Sequence, residues 1–240
     1  MASIDVEIVE TLPIEKGKST VITGFAGPGF IGGTTVMYVV RNKNFVQRAH
    51  VRSQLIPPMI LLIEGRPIQG FRIYSHDKED LIFITNATLM ATENSWPLGQ
   101  KLMEWLIGKG ASSFISIEAL PFGAPQTERT VLGFSTHRKD LDQFGVQPAM
   151  EASVSGISAC MLEECMRRNL SWTSLFVPTS LVSAVDYGGA AAAIEVLNKM
   201  FKLGVDTAPL KQSDEMMRQM LKRRIKGERR GFLDSLRRRG

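Results

Sequence analysis

The chain has 240 residues, 44% hydrophobic and 22% charged, enough for one large α/β domain with a substantial core. No apolar run approaches the roughly 18 residues of a membrane span, and Met1 to Lys18 carries acids in place of an apolar leader, so a cytoplasmic protein with no membrane segment is expected. The formal charge of +5 is localised: residues 211–240 hold 11 Lys/Arg against 4 Asp/Glu, whereas 1–210 hold 18 against 20, so the body has no bias toward a polyanion.

Alternation and short apolar runs bounded by turn residues predict strands at Val6–Val9 and Thr20–Gly24, followed by a helix over Phe30–Val40. Across the junction of that strand and helix runs Gly24-Phe-Ala-Gly27-Pro-Gly29-Phe-Ile-Gly32-Gly33, in which Gly27-Pro28-Gly29-Phe30-Ile31-Gly32 satisfies the spacing G-x-G-x-x-G. A dinucleotide site is not expected there, because Pro28 has no N–H to donate and no acid ends a second strand about 20 residues on. The Gly-Lys-Ser/Thr of a P-loop is missing too. The glycines are read as allowing a helix to cross a strand closely. Further strands are predicted at Val46–Leu55, Met59–Glu64, Phe71–His76 and Leu81–Asn86, joined by turns at Ile56-Pro57-Pro58 and Gly65-Arg66-Pro67. A helix through Leu98, Leu102, Trp105 and Leu106 follows, with Ser95 as its capping oxygen and Pro97 in its first turn. Strands at Phe114–Glu118 and Val131–Thr136, a helix through Ile157, Met161, Cys165 and Met166, a strand at Leu175–Pro178 and a helix from Ala190 to Phe201 complete the body. Strands alternating with helices, with several β-β connections, predict a three-layer α/β/α sandwich on one large mixed sheet.

Chemistry-bearing residues are sparse. Cys160 and Cys165 would lie roughly 140° apart on a helix and share no face, which argues for apolar packing over metal or disulfide. His50, His76 and His137 have no ligand spacing, so neither metal nor cofactor is expected. Ligands of open α/β sheets sit beyond the carboxyl ends of strands, which singles out Gly24, Asn86, Glu118 and Thr179. Glu118 could serve as a general base with Asn86 orienting a substrate, but an acid at a strand end is more simply a loop cap. Ser155-Gly156-Ile157-Ser158 lacks the glycine pair of a nucleophile elbow and is read as a helix start capped by Ser153 or Ser155. No catalytic cluster emerges. The alternative function left open is a small-molecule, nucleoside or phosphate-binding enzyme using the Gly27–Gly33 crevice.

The order of several segments resembles the archaeal proteasome-assembly-chaperone family over residues 18–210. The segments are Val21 to Gly32, Ile56-Pro-Pro-Met-Ile-Leu-Leu-Ile-Glu-Gly65, Asp80-Leu-Ile-Phe-Ile-Thr85 with the Leu98–Ile107 helix, Gly156-Ile-Ser-Ala-Cys-Met-Leu162, and Asp186-Tyr-Gly-Gly-Ala-Ala-Ala-Ala-Ile194. The resemblance implies a phosphorylase-like α/β sandwich without enzymatic chemistry that forms homo-oligomers and, in some members, binds proteasome core-particle α-subunits. Members that dock in α-ring pockets end with a hydrophobic residue, Tyr and one last residue. This chain ends Arg238-Arg239-Gly240, so docking through that carboxyl terminus is not expected.

After Gly204 to Pro209 apolar density falls, and 211–240 reads as a basic C-terminal helical tail apart from the 1–210 body. Met217, Met220, Leu221 and Ile225 take helical spacing, and Phe232, Leu233 and Leu236 form an apolar cluster before Arg237, Arg238 and Arg239. These are the candidate partner-binding residues, since methionine adapts to irregular apolar surfaces. Tail-mediated nucleic-acid association is a further alternative, weakened by the lack of interleaved aromatics beyond Phe232. The leading expectation is a non-enzymatic oligomeric chaperone or adaptor that holds itself, proteasome α-subunits or another assembly factor.

Overall fold

The computed structural model describes residues 5–76, 79–121 and 129–220. The elements run β1 (Val6–Glu10), β2 (Ser19–Gly24), α1 (Ile31–Asn42), β3 (Val46–Ser53), β4 (Ile60–Ile63), β5 (Arg66–Gln69), β6 (Phe71–His76) and β7 (Glu79–Asn86). They continue as α2 (Ser95–Gly108), β8 (Ala111–Pro121), β9 (Val131–Ser135), β10 (Val146–Pro148), α3 (Gly156–Arg168), β11 (Ser171–Thr179) and α4 (Tyr187–Phe201), and a last helix occupies 208–220.

Nine strands form one sheet in the order β1-β3-β6-β7-β2-β8-β11-β9-β10. Its centre, β7-β2-β8-β11, is parallel, and antiparallel pairs flank it on both sides. Central parallel strands are buried on both faces, which is why β7 reads as a continuous apolar run over Leu81–Ile84, while β2 buries Val21 and Ile22 between threonines. Along β2 the pleat sends Val21 to one face and Ile22 to the other. On one face Ile22, Phe83, Ile115 and Leu175 meet Val36 and Val39 of α1 and Ala193, Ile194 and Leu197 of α4. On the other, Val21, Ile84, Phe114 and Trp172 meet Leu98, Leu102 and Met103 of α2 and Ile157, Met161 and Cys165 of α3. The expected three-layer α/β/α arrangement is therefore the observed one.

Three local expectations are corrected. The segment Met59–Glu64 does not join the large sheet: β4 pairs with β5 in a separate two-stranded ribbon, and Arg66 and Pro67, expected in a turn, are part of β5. Alternation identifies a strand but carries no information about its neighbour. Ser95 lies inside the first turn of α2 with its hydroxyl buried and unpartnered, and Asn94 holds the cap position without a side-chain bond. Ser155 does occupy the cap position of α3, in extended backbone, yet its hydroxyl bonds no amide there.

Candidate functional site at the glycine crossing

The carboxyl ends of β2, β7, β8 and β11 meet at Gly24, Asn86, Pro121 and Thr179, the sheet end singled out from the sequence. Here α1 starts directly against the sheet. A Cβ on Gly24 would stand 2.1 Å from the carbonyl oxygen of Gly32, and one on Gly32 would stand 2.9 Å from Gly24 Cα and 3.0 Å from the Ile117 carbonyl oxygen. The two glycines thus bring helix and strand backbones into contact, as close packing had been inferred to require. The loop between them is latched on both sides. Ala26 N–H donates to Asn86 Oδ1 at 2.7 Å, and Asp186 N–H donates to Gly29 O at 2.8 Å. Gly29 has φ +65°, the left-handed region that favours glycine, and a side chain there would press on Asp186 Cβ.

Asp186 is the hub on the α4 side. Its buried carboxylate caps α4 by accepting from Gly189 N–H at 2.8 Å, accepts from the Thr179 hydroxyl at 2.6 Å, and receives Arg129 Nη2 at 2.9 Å. Arg129 Nη1 also donates to Pro178 O at 2.8 Å, so the ion pair ties the end of β11 to the start of α4. Thr179 is spent on this latch and borders neither cavity described next.

On the α1 face of the crossing is a cavity of about 430 Å³. Its walls include Phe30, Met37, Val185, Tyr187 and Leu210, and its polar lining includes Thr34, Arg41, Thr85, Asn86 and Arg72. Phe30, at the mouth, is 43% exposed and holds φ +50°, an uncommon conformation for a side chain of its size. Arg72, on β6, is only 3% exposed, and its Nε and Nη1 have no hydrogen-bond partner. Its guanidinium lies 5.9 Å from the Tyr74 ring centroid, and burial pushes its pKa down.

On the α2/α3 side is a second cavity of about 420 Å³, bordered by Phe25, Gly27, Pro28, Asn86, Glu118 and Ser155 to Ser158. Glu118 is no loop cap. Its carboxyl faces the hydroxyls of Ser158 of α3 and Ser116 of its own strand, while Oε1 is closed off from solvent without a partner. Burial pushes its pKa above the usual carboxylate range, outweighing the two hydroxyls that lower it. Behind Ser116 the chain of polar groups continues: Ser116 and Ser174 hydroxyls lie 2.9 Å apart, and Trp172 Nε1 donates to Ser174 at 2.8 Å.

The other sequence candidates lie elsewhere. Cys160 and Cys165 are free and buried, and burial pushes the Cys165 thiol up to about 12, which removes thiolate chemistry at neutral pH. His50 and His76 sit on β3 and β6, and His137 follows β9. Among the described residues no group of three or more His, Cys, Asp or Glu is placed to hold a metal ion, and no helix is long and apolar enough to cross a membrane. Met217 is half-buried on the helix over 208–220, and Met220 is 66% exposed. Leu221, Ile225, Phe232, Leu233, Leu236, Arg237, Arg238 and Arg239 lie outside the described residues. Sequence reading passed over Arg72, Arg129, Asp186 and the Ser158–Glu118 pairing. A single signal pointed to one of them: period-two alternation in Phe71-Arg-Ile-Tyr-Ser-His76 puts Arg72 and Tyr74 on one face, but nothing marks that strand as interior.

The chain is thus an α/β protein with one mixed sheet between two helical layers and a glycine crossing at the end of its parallel strands. It belongs to the PAC2 family, whose model matches residues 21–225. Among solved structures it is similar to Pyrococcus furiosus PbaA, an archaeal homolog of proteasome-assembly chaperone, with 26% identity, 96% of this chain and 97% of that one covered, and a TM-score of 0.81. The fold is shared with P. furiosus PbaB, an archaeal proteasome activator, at 18% identity and a TM-score of 0.79, covering 91% of this chain and 98% of that one. The uncharacterised protein MJ0106 of Methanocaldococcus jannaschii is 23% identical over 223 residues, 90% of this chain and 89% of its own length.

Proposed function

We propose that this chain is a non-enzymatic, oligomeric chaperone or adaptor that holds protein subunits, proteasome α-subunits or an assembly factor, through apolar and basic surfaces. The observation that carries the reading is PAC2 membership over residues 21–225, joined to 26% identity with PbaA along nearly the whole of both chains. The surface is consistent with it. Ile60 and Leu62 of the β4-β5 ribbon are 64% and 75% exposed, and an isolated two-stranded ribbon gains stability when another surface covers it. Met216 and Met220 add exposed apolar area on the helix over 208–220, at the start of the basic tail. Self-association through such faces closes into a ring or dihedral particle, since unclosed contacts would grow into filaments. Binding energy alone does the work: a subunit is held until its proper neighbour competes for the same surface.

The test has two parts. Light scattering behind size exclusion is expected to give a discrete oligomer, dissociated by Ile60→Glu with Leu62→Glu. A low-salt pull-down from native extract is expected to recover proteasome subunits or an assembly intermediate, and recovery of neither sinks the reading.

A further inference from the structure

We propose that the cavity over Arg72 is a binding site for a small organic anion, a carboxylate or phosphate monoester carried on an apolar body, with the Arg72 guanidinium as its counter-charge. This site is separate from the protein-holding role and does not rest on it.

Arginine cannot shed its charge in a protein, so a buried guanidinium must be met by an acceptor or it costs several kcal/mol. Among the described residues Arg72 forms no ion pair: the groups acting on it are the Tyr74 ring and phenol, which attract it, and Arg41, which repels it. Its neighbours in the sheet do not remedy this. In register, Arg72 faces His50 of β3 and Thr85 of β7. The Thr85 hydroxyl already donates to Gly24 O at 2.7 Å, and His50, whose own Nδ1 is buried and unpartnered, brings no negative charge. With strands on both sides and Tyr74 along its own strand, the cavity is the open side of Arg72.

The cavity suits the ligand class in size and lining. About 430 Å³ falls within the roughly 300–1,000 Å³ of small-molecule sites. Phe30, Met37, Tyr187 and Leu210 offer apolar walls, while Arg41 at the exposed rim adds a second positive charge that draws anions inward. The start of α1 points the same way: Gly33 and Thr34 border the space, and the helix has no side-chain cap and no acid in its first turn. Among the described residues none that borders the cavity is an Asp or Glu. Asn86 is partly committed, since one N–H of its amide donates to Thr88 O at 2.9 Å and its carbonyl accepts from Ala26.

The experiment titrates the full chain with hexanoate, phenylacetate, phenyl phosphate and inorganic phosphate, and with hexanamide and phenylacetamide as neutral controls. Calorimetry and thermal shift read binding, and ¹⁵N spectra of arginine Nε–H groups read the contact. At least one organic anion is expected to bind below about 10 mM, raise the melting temperature and move the Arg72 Nε–H signal, with its neutral counterpart inert. Whether the carboxylates or phenyl phosphate bind more tightly identifies the headgroup. Arg72→Met is expected to weaken binding tenfold or more, and Arg41→Gln severalfold in a salt-dependent way. Should Arg72→Met fail to fold, the displacement of the wild-type Arg72 signal by acid and not by amide carries the same information. Binding of no organic anion, equal binding of acid and amide, inorganic phosphate binding as tightly as phenyl phosphate, or undiminished binding by Arg72→Met would each overturn the proposal.

Discussion

Two cavities of nearly equal volume flank the same glycine crossing, and each contains an ionisable group with solvent-closed, unpartnered atoms, the buried Arg72 on one side and the half-buried Glu118 on the other. Their chemistry differs because their protons differ. A carboxyl can answer burial by taking up a proton, and burial pushes the Glu118 pKa upward beside Ser116 and Ser158. Arg72 has no such exit, since its charge persists at any physiological pH. The lesson is that unpartnered atoms of equal burial carry unequal implications: the carboxyl marks a tolerated polar island, and the guanidinium marks a demand for a counter-charge.

The largest effect is expected at the glycine crossing itself. Gly24→Ala puts a methyl group 2.1 Å from the Gly32 carbonyl oxygen and forces α1 off the sheet, so a loss of more than about 4 kcal/mol is expected. Chemical denaturation checks it, and a variant within about 1 kcal/mol of wild type would show that the crossing is not tight. Next comes the latch on the α4 side. Asp186→Ala strips Arg129 of its partner and α4 of its cap, for a loss of about 3–5 kcal/mol.

The smallest effects separate the two charges themselves. For Glu118 the folded pKa is raised, so below the unfolded value near 4.3 the group contributes nothing to the pH dependence. As pH rises from there through the folded value, the unfolded chain ionises first and stability falls. Glu118→Gln removes that fall, and a melting temperature roughly 2–4 °C higher at pH 7 is expected, with a flatter profile above pH 5. Arg72→Met is expected to leave stability within about 1 kcal/mol of wild type or to raise it, because a buried unpaired ion is replaced by a packed thioether. If Glu118→Gln instead lowers stability at pH 7, the carboxyl is ionised in the fold and the contrast between the cavities fails.

Much of the architecture was legible because it depends on local pattern. The segments Thr20–Gly24 and Leu81–Asn86 gave strands whose observed bounds differ by a residue or two, and of the glycines read as allowing a close crossing Gly32 makes one, against Gly24, whereas a Cβ on Gly27 would meet nothing within 4 Å. The carboxyl-end rule brought Asn86 and Glu118 together at one cavity without any knowledge of the structure. It could not give Glu118 its surroundings, because Ser158 lies forty positions away on α3 and reaches Glu118 only when that helix has packed on the sheet. The same limit hid the ribbon: Ile60-Leu-Leu-Ile63 reads as a short apolar strand like any in the large sheet, and among the described residues β4 pairs with β5 alone, leaving Ile60 and Leu62 exposed.

What the residue order determines by itself is the succession of elements, the apolar faces of the helices and the place where helix and strand must touch, since each follows from spacing within a dozen residues. What tertiary structure alone decides is which charges end up inside. Arg72 sits in a six-residue strand that could have been an edge with its guanidinium in water, and it became buried because β3 and β7 pair on either side of β6 while α1 crosses nearby. Strand order arises from contacts distant in sequence, and burial turns an ordinary arginine into one that needs an anion.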